Sequence, residues 1–257
     1  MSPIPTDVPE GSRFIEATWP TPGGVRAGVT TRIGGHSRPP FDGFNLATHV
    51  GDDPEAVAAN RAELAEMLVL PEPPRWLNQT HGTAVVGPEV PTDLPEGDAA
   101  FTDRPGEVLA VLTADCLSVT LASHDGSEVA VAHAGWRGLA AGVIEQTVDR
   151  FSVAGDELMA WLGPAIGPSH FEVGEEVREA FMREYPADAS AFRGAGEAGR
   201  FHADLFALAR SRLRRQGITR VYGGERDTYA LPELFYSYRR DRGETGRMAT
   251  LVWREKD

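Results

Sequence analysis

Short apolar runs recur through the middle of the chain, each about the length of one buried strand. They lie at 108–113, 118–122, 129–133 and 158–162, and the segment HDGS at 124–127 has the composition of a turn between two of them. Runs of this length bounded by turn residues are typical of strands in a buried sheet. They predict a sheet core built from segments that are close in sequence.

Helical patterns lie between and after these runs. Asp53-Pro54 has the residue types of an N-cap and a first helical position, and Gly217 is typical of a left-handed helix end. The predicted helices lie near 54–68, from 135 to about 151, at about 174–184 and at about 204–216. Two late strands are predicted near 218–222 and 247–254, and 186–200 is predicted as one long loop. The pattern indicates a single mixed α/β (α+β) domain.

Composition limits the functions that this domain can have. The 257 residues are 41% hydrophobic and carry a formal net charge of −13, which argues against nucleic acid as a partner because phosphates are held mainly by Lys and Arg. A small anionic substrate remains compatible, since a few arginines in one pocket can outweigh an acidic exterior.

Location and redox state follow from the termini and the cysteine content. The start, MSPIPTDVPEG, lacks the basic and apolar regions of a signal peptide, and no apolar stretch has the length of a membrane helix. The single cysteine, Cys116, has no partner for an internal disulfide. We therefore expect a cytoplasmic protein.

The segments THG at 80–82, TADC at 113–116 and HAGWRG at 133–138 carry the candidate chemistry. Cys116 and His133 each come at the end of a predicted strand, where α/β folds present reactive side chains. A thiolate with two imidazoles, from His81 and His133, suits zinc. Three protein ligands would leave a fourth position for water or substrate, as in catalytic zinc sites.

The residues alone leave other interpretations open. The gaps of 34 and 16 residues between His81, Cys116 and His133 match no local zinc motif. Cys116 can also be a small buried apolar residue beside hydrogen-bonded histidines. A third interpretation makes Cys116 and His133 a metal-free thiolate–imidazolium nucleophile pair.

Polar residues in three further segments are candidates for substrate binding. Arg137 follows Gly135 at a predicted helix start, where backbone N–H groups and a guanidinium favour an anion. Arg32 in TRIGGHS and Asn45 in NLATHVGDD lie in predicted loops, and Arg239 and Arg240 lie in SYRRDRGETGR together with Arg247. Each could equally belong to an ordinary turn or a solvated face.

In this order, the segments closely resemble the bacterial laccase-domain family, which is named for multicopper polyphenol oxidoreductase activity. The resemblance runs from about residue 24 to residue 253, through TRIGG, HVGDDPEAVAANR, LNQTHG, TADC, AHAGWRGLAAGV, WLGPAIGP, FEVG and SYRRD–TGRMA. It implies a layered α/β/β/α sandwich with mixed sheets. It also implies that residues 24–257 form one laccase-domain-type catalytic domain preceded by an N-terminal extension, 1–23.

The resemblance implies a purine nucleoside enzyme with one zinc ion per chain on His81, Cys116 and His133. The implied reactions are phosphorolysis of adenosine, inosine, guanosine and methylthioadenosine, and deamination of adenosine to inosine. A role in editing peptidoglycan precursors is also attached to the family. Seven histidines scattered singly do not readily supply the several sites of a multicopper oxidase, so copper is not expected.

Roles for individual residues follow as hypotheses. Cys116 and His133 are predicted catalytic ligands, and Asp115 is predicted to transfer a proton beside them. Arg137 and Arg32 are predicted to position phosphate. Two polar side chains, Gln79 and Asn45, are predicted to hydrogen-bond the base or ribose, and Arg239 and Arg240 complete the predicted substrate-binding set.

Two positions depart from the family pattern, and three rival functions remain. Leu117-Ser118 stands where Leu-Pro is usual, and Asp227-Thr228 stands where Cys-Thr is usual. The rivals are a metal-free cysteine hydrolase, a copper-dependent polyphenol oxidase and a non-catalytic factor in cell-wall metabolism. The expected partners are small-molecule purine nucleosides and phosphate, with no nucleic acid and no membrane, and a monomer is favoured.

Overall fold

The computed structural model describes residue 8 and residues 11–256. In chain order, the strands of this part are β1 (Phe14–Glu16), β2 (Val25–Thr30), β3 (Val85–Val86), β4 (Ala99–Thr102), β5 (Val108–Thr113), β6 (Leu117–Ser123), β7 (Val129–Ala134), β8 (Leu158–Leu162), β9 (Glu172–Gly174), β10 (Phe192–Gly194), β11 (Arg200–Ala203), β12 (Arg220–Gly223) and β13 (Met248–Arg254). The α-helices are α1 (Pro54–Leu68), α2 (Trp136–Ala141), α3 (Val143–Val148), α4 (Glu175–Met182) and α5 (Leu205–Arg215).

These strands form three sheets. The four-stranded sheet has the order β1-β2-β13-β5 and is antiparallel throughout. The six-stranded sheet has the order β12-β8-β6-β7-β4-β3, and its two outer pairs run parallel while the three inner pairs run antiparallel. A small antiparallel sheet, β10-β11-β9, completes the set.

Three apolar clusters define the layers. Val111 and Val252 of the four-stranded sheet pack with Val131 and Met159 of the six-stranded sheet. The outer face of the four-stranded sheet packs against α1, which contributes Leu64. The outer face of the six-stranded sheet packs against the other four helices. The resulting order of helix, sheet, sheet and helices confirms the expected layered mixed α/β fold.

A three-residue link connects the two large sheets. Strand β5 belongs to the four-stranded sheet and β6 to the six-stranded sheet, and Ala114, Asp115 and Cys116 are the residues between them. Asp115 turns the chain with a φ of 81°. Cys116 therefore lies where the chain crosses from one sheet to the other, next to β7, in which His133 pairs with Ser118.

Most predicted elements are confirmed, and two predictions are wrong. The helix predicted from 135 to about 151 is divided into α2 and α3, because Gly142 adopts a φ of 99° that ends the first helix. The segment 186–200 is not one loop. It holds a 3-10 helix at Pro186–Ala191 and strand β10, anchored by the Phe192 ring 5.9 Å from that of Phe181.

The N-terminal region contributes to the fold before residue 24. Strand β1 pairs with β2 and forms an edge of the four-stranded sheet. The division into 1–23 and 24–257 stays a prediction. The segment used to argue against a signal peptide lies largely outside the described residues. Among the helices that are described, none is long and apolar enough to cross a membrane.

Candidate metal centre and its cavity

Three side chains distant in sequence converge at the link between the sheets. The ligand atoms of His81, Cys116 and His133 all lie within 4.8 Å of one another, a triangle small enough for one ion to join. The two imidazole rings are 4.8 Å apart at an interplanar angle of 79°. His133 is buried, Cys116 is half-buried and His81 is exposed, so the triangle has one side open to solvent.

The backbone around these residues is shaped for close approach. His81 has a φ of 62°, which an L-residue adopts rarely. Gly135 follows β7, and a Cβ built there would lie 3.1 Å from Cys116 Sγ and 3.1 Å from His81 Cδ2. Glycine at this position therefore leaves room for the three ligand side chains to meet.

Asp98 orients two of the three side chains. Its carboxylate is fully buried and lies 2.8 Å from His133 Nδ1. It also accepts hydrogen bonds from the backbone N–H groups of Thr80, His81 and Gly82 at 3.1, 2.9 and 2.7 Å. With the proton on Nδ1, the Nε2 lone pair of His133 is available to a metal, as in carboxylate–histidine–metal arrangements.

The electrostatics of the group favour a thiolate. Burial opposes ionisation of Cys116, but the charge of His133 and hydrogen bonds from both histidines outweigh it and lower the pKa of the thiol to about 6. Burial likewise disfavours the His133 imidazolium, yet the Cys116 thiolate and Asp98 raise its pKa to about 9. A cation placed among these groups would take the place of the protons.

The donor set fits zinc better than several coppers. One thiolate and two imidazoles, with a side open to solvent, match a catalytic zinc site with a free position. In the described part of the chain, His81, Cys116 and His133 are the one group of three or more His, Cys, Asp or Glu side chains spaced for a metal ion. A multicopper oxidase needs more than one such group.

The open side of the triangle faces a cavity of about 490 Å³. Its walls combine apolar and cationic side chains with the candidate ligands. The apolar and aromatic lining comes from Leu112, Ile166, Phe171 and Tyr238, the cationic lining comes from Arg137, Arg239 and Arg247, and His49 adds an imidazole. A cavity of this size, with apolar walls and a few convergent polar groups, is typical of a small-molecule site.

Gln79 and Asp115 reach the cavity, but their side chains are already engaged. Gln79 exchanges two hydrogen bonds with the backbone of Leu112, at 2.9 and 2.8 Å. Asp115 accepts from Thr228 Oγ1 at 2.6 Å, from Ser237 Oγ at 3.0 Å and from the Arg239 N–H at 2.7 Å. Burial raises the pKa of Asp115 despite these hydrogen bonds. The contacts tie the segment that carries Arg239 to the turn beside Cys116.

Three other predicted substrate-binding residues lie outside the cavity lining. The Arg32 guanidinium forms an ion pair with Asp42 at 3.0 Å and stacks over Tyr236. Arg240 pairs with Asp241 at 2.9 Å. The buried Asn45 accepts a hydrogen bond from the Arg247 N–H at 2.9 Å. Arg32 and Arg240 thus brace loops, and Asn45 holds Arg247. Their direct contact with substrate stays a prediction.

Sequence reasoning missed Asp98, His49 and Tyr238, and gave Arg247 no role of its own. Burial and the guanidinium groups of Arg247 and Arg61 lower the pKa of His49, which places a cationic region at that wall. Tyr238 is 56% exposed and lies in the cavity lining. No local motif surrounds Asp98, whereas Arg247 and Tyr238 belonged to a segment already singled out for its arginines.

Comparisons with known proteins agree with this architecture. A family model described as multi-copper polyphenol oxidoreductase laccase matches residues 26–255. A Pseudomonas aeruginosa protein named purine nucleoside phosphorylase is 52% identical over 93% of this chain and 98% of its own length. An Escherichia coli protein of the same name is 49% identical over 94% of this chain and 99% of its own length.

Solved structures share the fold. A Neisseria meningitidis protein superposes with a TM-score of 0.91 at 47% identity, covering 95% of this chain and 100% of that protein. The protein YlmD of Geobacillus stearothermophilus superposes with a TM-score of 0.89 at 32% identity, covering 96% of this chain and 98% of that protein.

Proposed function

Because the chain belongs to the multi-copper polyphenol oxidoreductase laccase family, we propose that it is a purine nucleoside phosphorylase whose catalytic zinc ion is held by His81, Cys116 and His133. The observation that carries the proposal is the convergence of these three side chains beside a cavity of about 490 Å³ lined by arginines and aromatic rings. The names of relatives at 52% and 49% identity support the reaction class.

The ligand residues support a zinc ion in complementary ways. Cys116 supplies a soft anionic donor, and the two histidines supply neutral donors once their protons leave. Asp98 keeps His133 in the orientation that presents its outer nitrogen. A zinc ion bound there would supply a Lewis acid to a substrate oxygen or to water.

The cavity suits a purine nucleoside by its mixture of surfaces. Phe171 and Tyr238 offer aromatic faces to a flat base, and the apolar Ile166 lies in the same lining. The proposed substrates are adenosine, inosine, guanosine and methylthioadenosine, and adenosine deamination to inosine is proposed as a second reaction of the same site.

Asp115 has a positioning role in this proposal. Both of its carboxylate oxygens accept hydrogen bonds from the segments at 228 and 237–239. These bonds position the wall that carries Tyr238 and Arg239. The geometry favours this positioning role for Asp115 over the proton transfer predicted from the sequence.

A product analysis tests the proposed function. The zinc-loaded protein is incubated with adenosine and inorganic phosphate, and the products are separated chromatographically. Phosphorolysis yields adenine and ribose 1-phosphate in equal amounts, while inosine reports deamination. If the protein with its full complement of zinc produces neither adenine nor inosine, the proposal is contradicted.

A further inference from the structure

Three arginines of the cavity form no ion pair with a carboxylate among the described residues. Arg137, Arg239 and Arg247 line the cavity together. Arg137 stacks over Trp136 at 4.4 Å, and Arg239 donates to the carbonyl oxygen of Glu172 at 3.0 Å. Arg247 donates to the carbonyl oxygens at 245 and 246. Among the described residues, no carboxylate forms an ion pair with any of the three.

Several other arginines of this acidic chain are compensated by carboxylates, while others, such as Arg61 and Arg210, donate to backbone carbonyl oxygens. Arg13 pairs with Glu63 at 2.6 Å, Arg75 pairs with Glu107 at 3.0 Å, and the buried Arg212 pairs with Glu145 at 3.1 Å. With 38 acidic residues against 25 basic ones, acids are abundant. Three guanidinium groups that share one cavity and have no carboxylate as an ion-pair partner point to an anionic ligand.

Two described lining groups can carry a negative charge: the Cys116 thiolate, which a bound cation would neutralise, and the Asp115 carboxylate. Among the described residues that line the cavity, Asp115 is the one carboxylate. Its oxygens accept hydrogen bonds from Thr228, Ser237 and the Arg239 backbone. Both oxygens of this carboxylate are therefore already engaged by donors of the protein.

Arg247 is held in place before any ligand arrives. Its backbone N–H donates to the buried Asn45 side chain, and its guanidinium lies 5.6 Å from the centre of the Tyr238 ring. The side chain is half-buried, and burial lowers its pKa. A fixed and partly desolvated guanidinium binds an anion with less loss of conformational entropy than a free surface arginine does.

We propose that Arg247, together with Arg137 and Arg239, forms an oxyanion subsite that takes inorganic phosphate. The inference rests on the proposed phosphorolysis and names the residues that would hold its second substrate. Planar guanidinium groups match the oxygens of a phosphate dianion through paired N–H donors. The subsite shares the cavity with the ligand triangle, so phosphate and nucleoside would meet beside it.

The reaction served by this subsite balances without a further reactant. A phosphate oxygen forms a bond to ribose C1′, and the bond from C1′ to purine N9 breaks. The electron pair of that bond stays on the purine, which takes up one proton. The products are ribose 1-phosphate and the free base, and no group is oxidised or reduced.

Steady-state kinetics of Arg247→Met test the proposal. We expect the KM for phosphate to rise about 10-fold or more, because a charge-assisted pair of hydrogen bonds is lost. The KM for inosine should change less than about 3-fold. Arg247→Lys keeps the charge but not the fork, so its phosphate KM should lie between those of the wild type and Arg247→Met.

Two further variants provide a second test and a control. Arg137→Met should also raise the phosphate KM, which keeps the proposal testable if Arg247→Met does not fold. Arg220→Met is the matched control, because Arg220 is exposed on β12 beside His124 and lies outside the cavity lining. It should leave both KM values unchanged.

The outcomes separate this inference from the proposed function. A rise in the inosine KM with an unchanged phosphate KM would overturn the subsite while leaving phosphorolysis intact. If the wild type shows no phosphorolysis, the proposed function fails, and calorimetric titration with inorganic phosphate decides on the subsite alone. Binding that weakens in Arg247→Met and not in Arg220→Met supports it, and no binding to the wild type overturns it.

Discussion

At the scale of single residues, the buried carboxylate of Asp98 connects two of the three candidate ligands. It lies beside the Nδ1 atom of His133, and it accepts hydrogen bonds from the backbone N–H groups of Thr80, His81 and Gly82. Burial disfavours its charge, but the hydrogen bond from His133 and those from Gly82 and Thr80 lower its pKa. The position of His81 and the tautomer of His133 therefore depend on one side chain.

Asp98→Asn should weaken zinc binding about 10- to 100-fold, as loss of supporting groups does in other metal sites. An amide offers one acceptor oxygen where the carboxylate offers two, so some of the N–H donors lose their partner. Competition with a fluorescent chelator measures the zinc affinity. Asp103→Asn, at an exposed position, is the control, and equal affinity in both variants would refute this role for Asp98.

At the scale of elements, helix α2 packs closely on the loop that carries His81. A Cβ built at Gly138 would lie 2.7 Å from the carbonyl oxygen of Gly82. This contact lets the helix start directly after β7 without displacing the ligand loop.

Gly138→Ala should lower the free energy of unfolding by about 1–3 kcal/mol, because the new methyl group overpacks a backbone contact. It should also weaken zinc binding, since the loop at 81–82 must move. Urea denaturation measures the first effect. Gly194→Ala is the matched control, because a Cβ there meets nothing within 4 Å. Equal stability of the two variants would show that the contact is not tight.

Elements were predicted well where a single apolar or helical pattern ran through the whole element. The apolar run of β5 and the capped helix α1 were predicted with the observed bounds. Strands β10 and β11 were missed because their polar and glycine-rich sequence resembles a loop, and their conformation depends on pairing with each other and of β11 with β9. The helix predicted from 135 to about 151 ran through Gly142, but the left-handed backbone of Gly142 ends α2.

At the scale of the whole molecule, the two large sheets are joined by a buried polar contact as well as by apolar packing. Ser118 on β6 and Thr250 on β13 are fully buried, and their hydroxyl oxygens lie 2.8 Å apart. Ser118 is one of the positions that depart from the family pattern. Each hydroxyl depends on the other for a partner.

Thr250→Val and Ser118→Ala should each destabilise the protein by about 1–3 kcal/mol, because each leaves one buried hydroxyl unsatisfied. The double variant should cost less than the sum of the two, because it removes both hydroxyls. A double-mutant cycle on the free energy of unfolding measures the difference. Strictly additive costs would mean that the two hydroxyls do not interact.

The site itself could be predicted only in part from the sequence. His81, Cys116 and His133 were identified through resemblance, because their spacing follows no local motif and their meeting depends on the sheet crossover. The structure brought Arg137, Arg239 and Gln79 to the cavity and kept Arg32, Asn45 and Arg240 out of it. Asp98 escaped notice because its role is visible only when distant segments are packed together.

The zinc dependence of phosphorolysis is tested most directly by a zinc titration of the chelator-stripped protein, measured as phosphate-dependent release of hypoxanthine from inosine. Activity should rise in proportion to added zinc and reach its maximum at about one ion per chain, since the ligand triangle has the size for one ion. Cys116→Ala should stay inactive throughout. Full activity in the stripped protein or in Cys116→Ala would contradict the account.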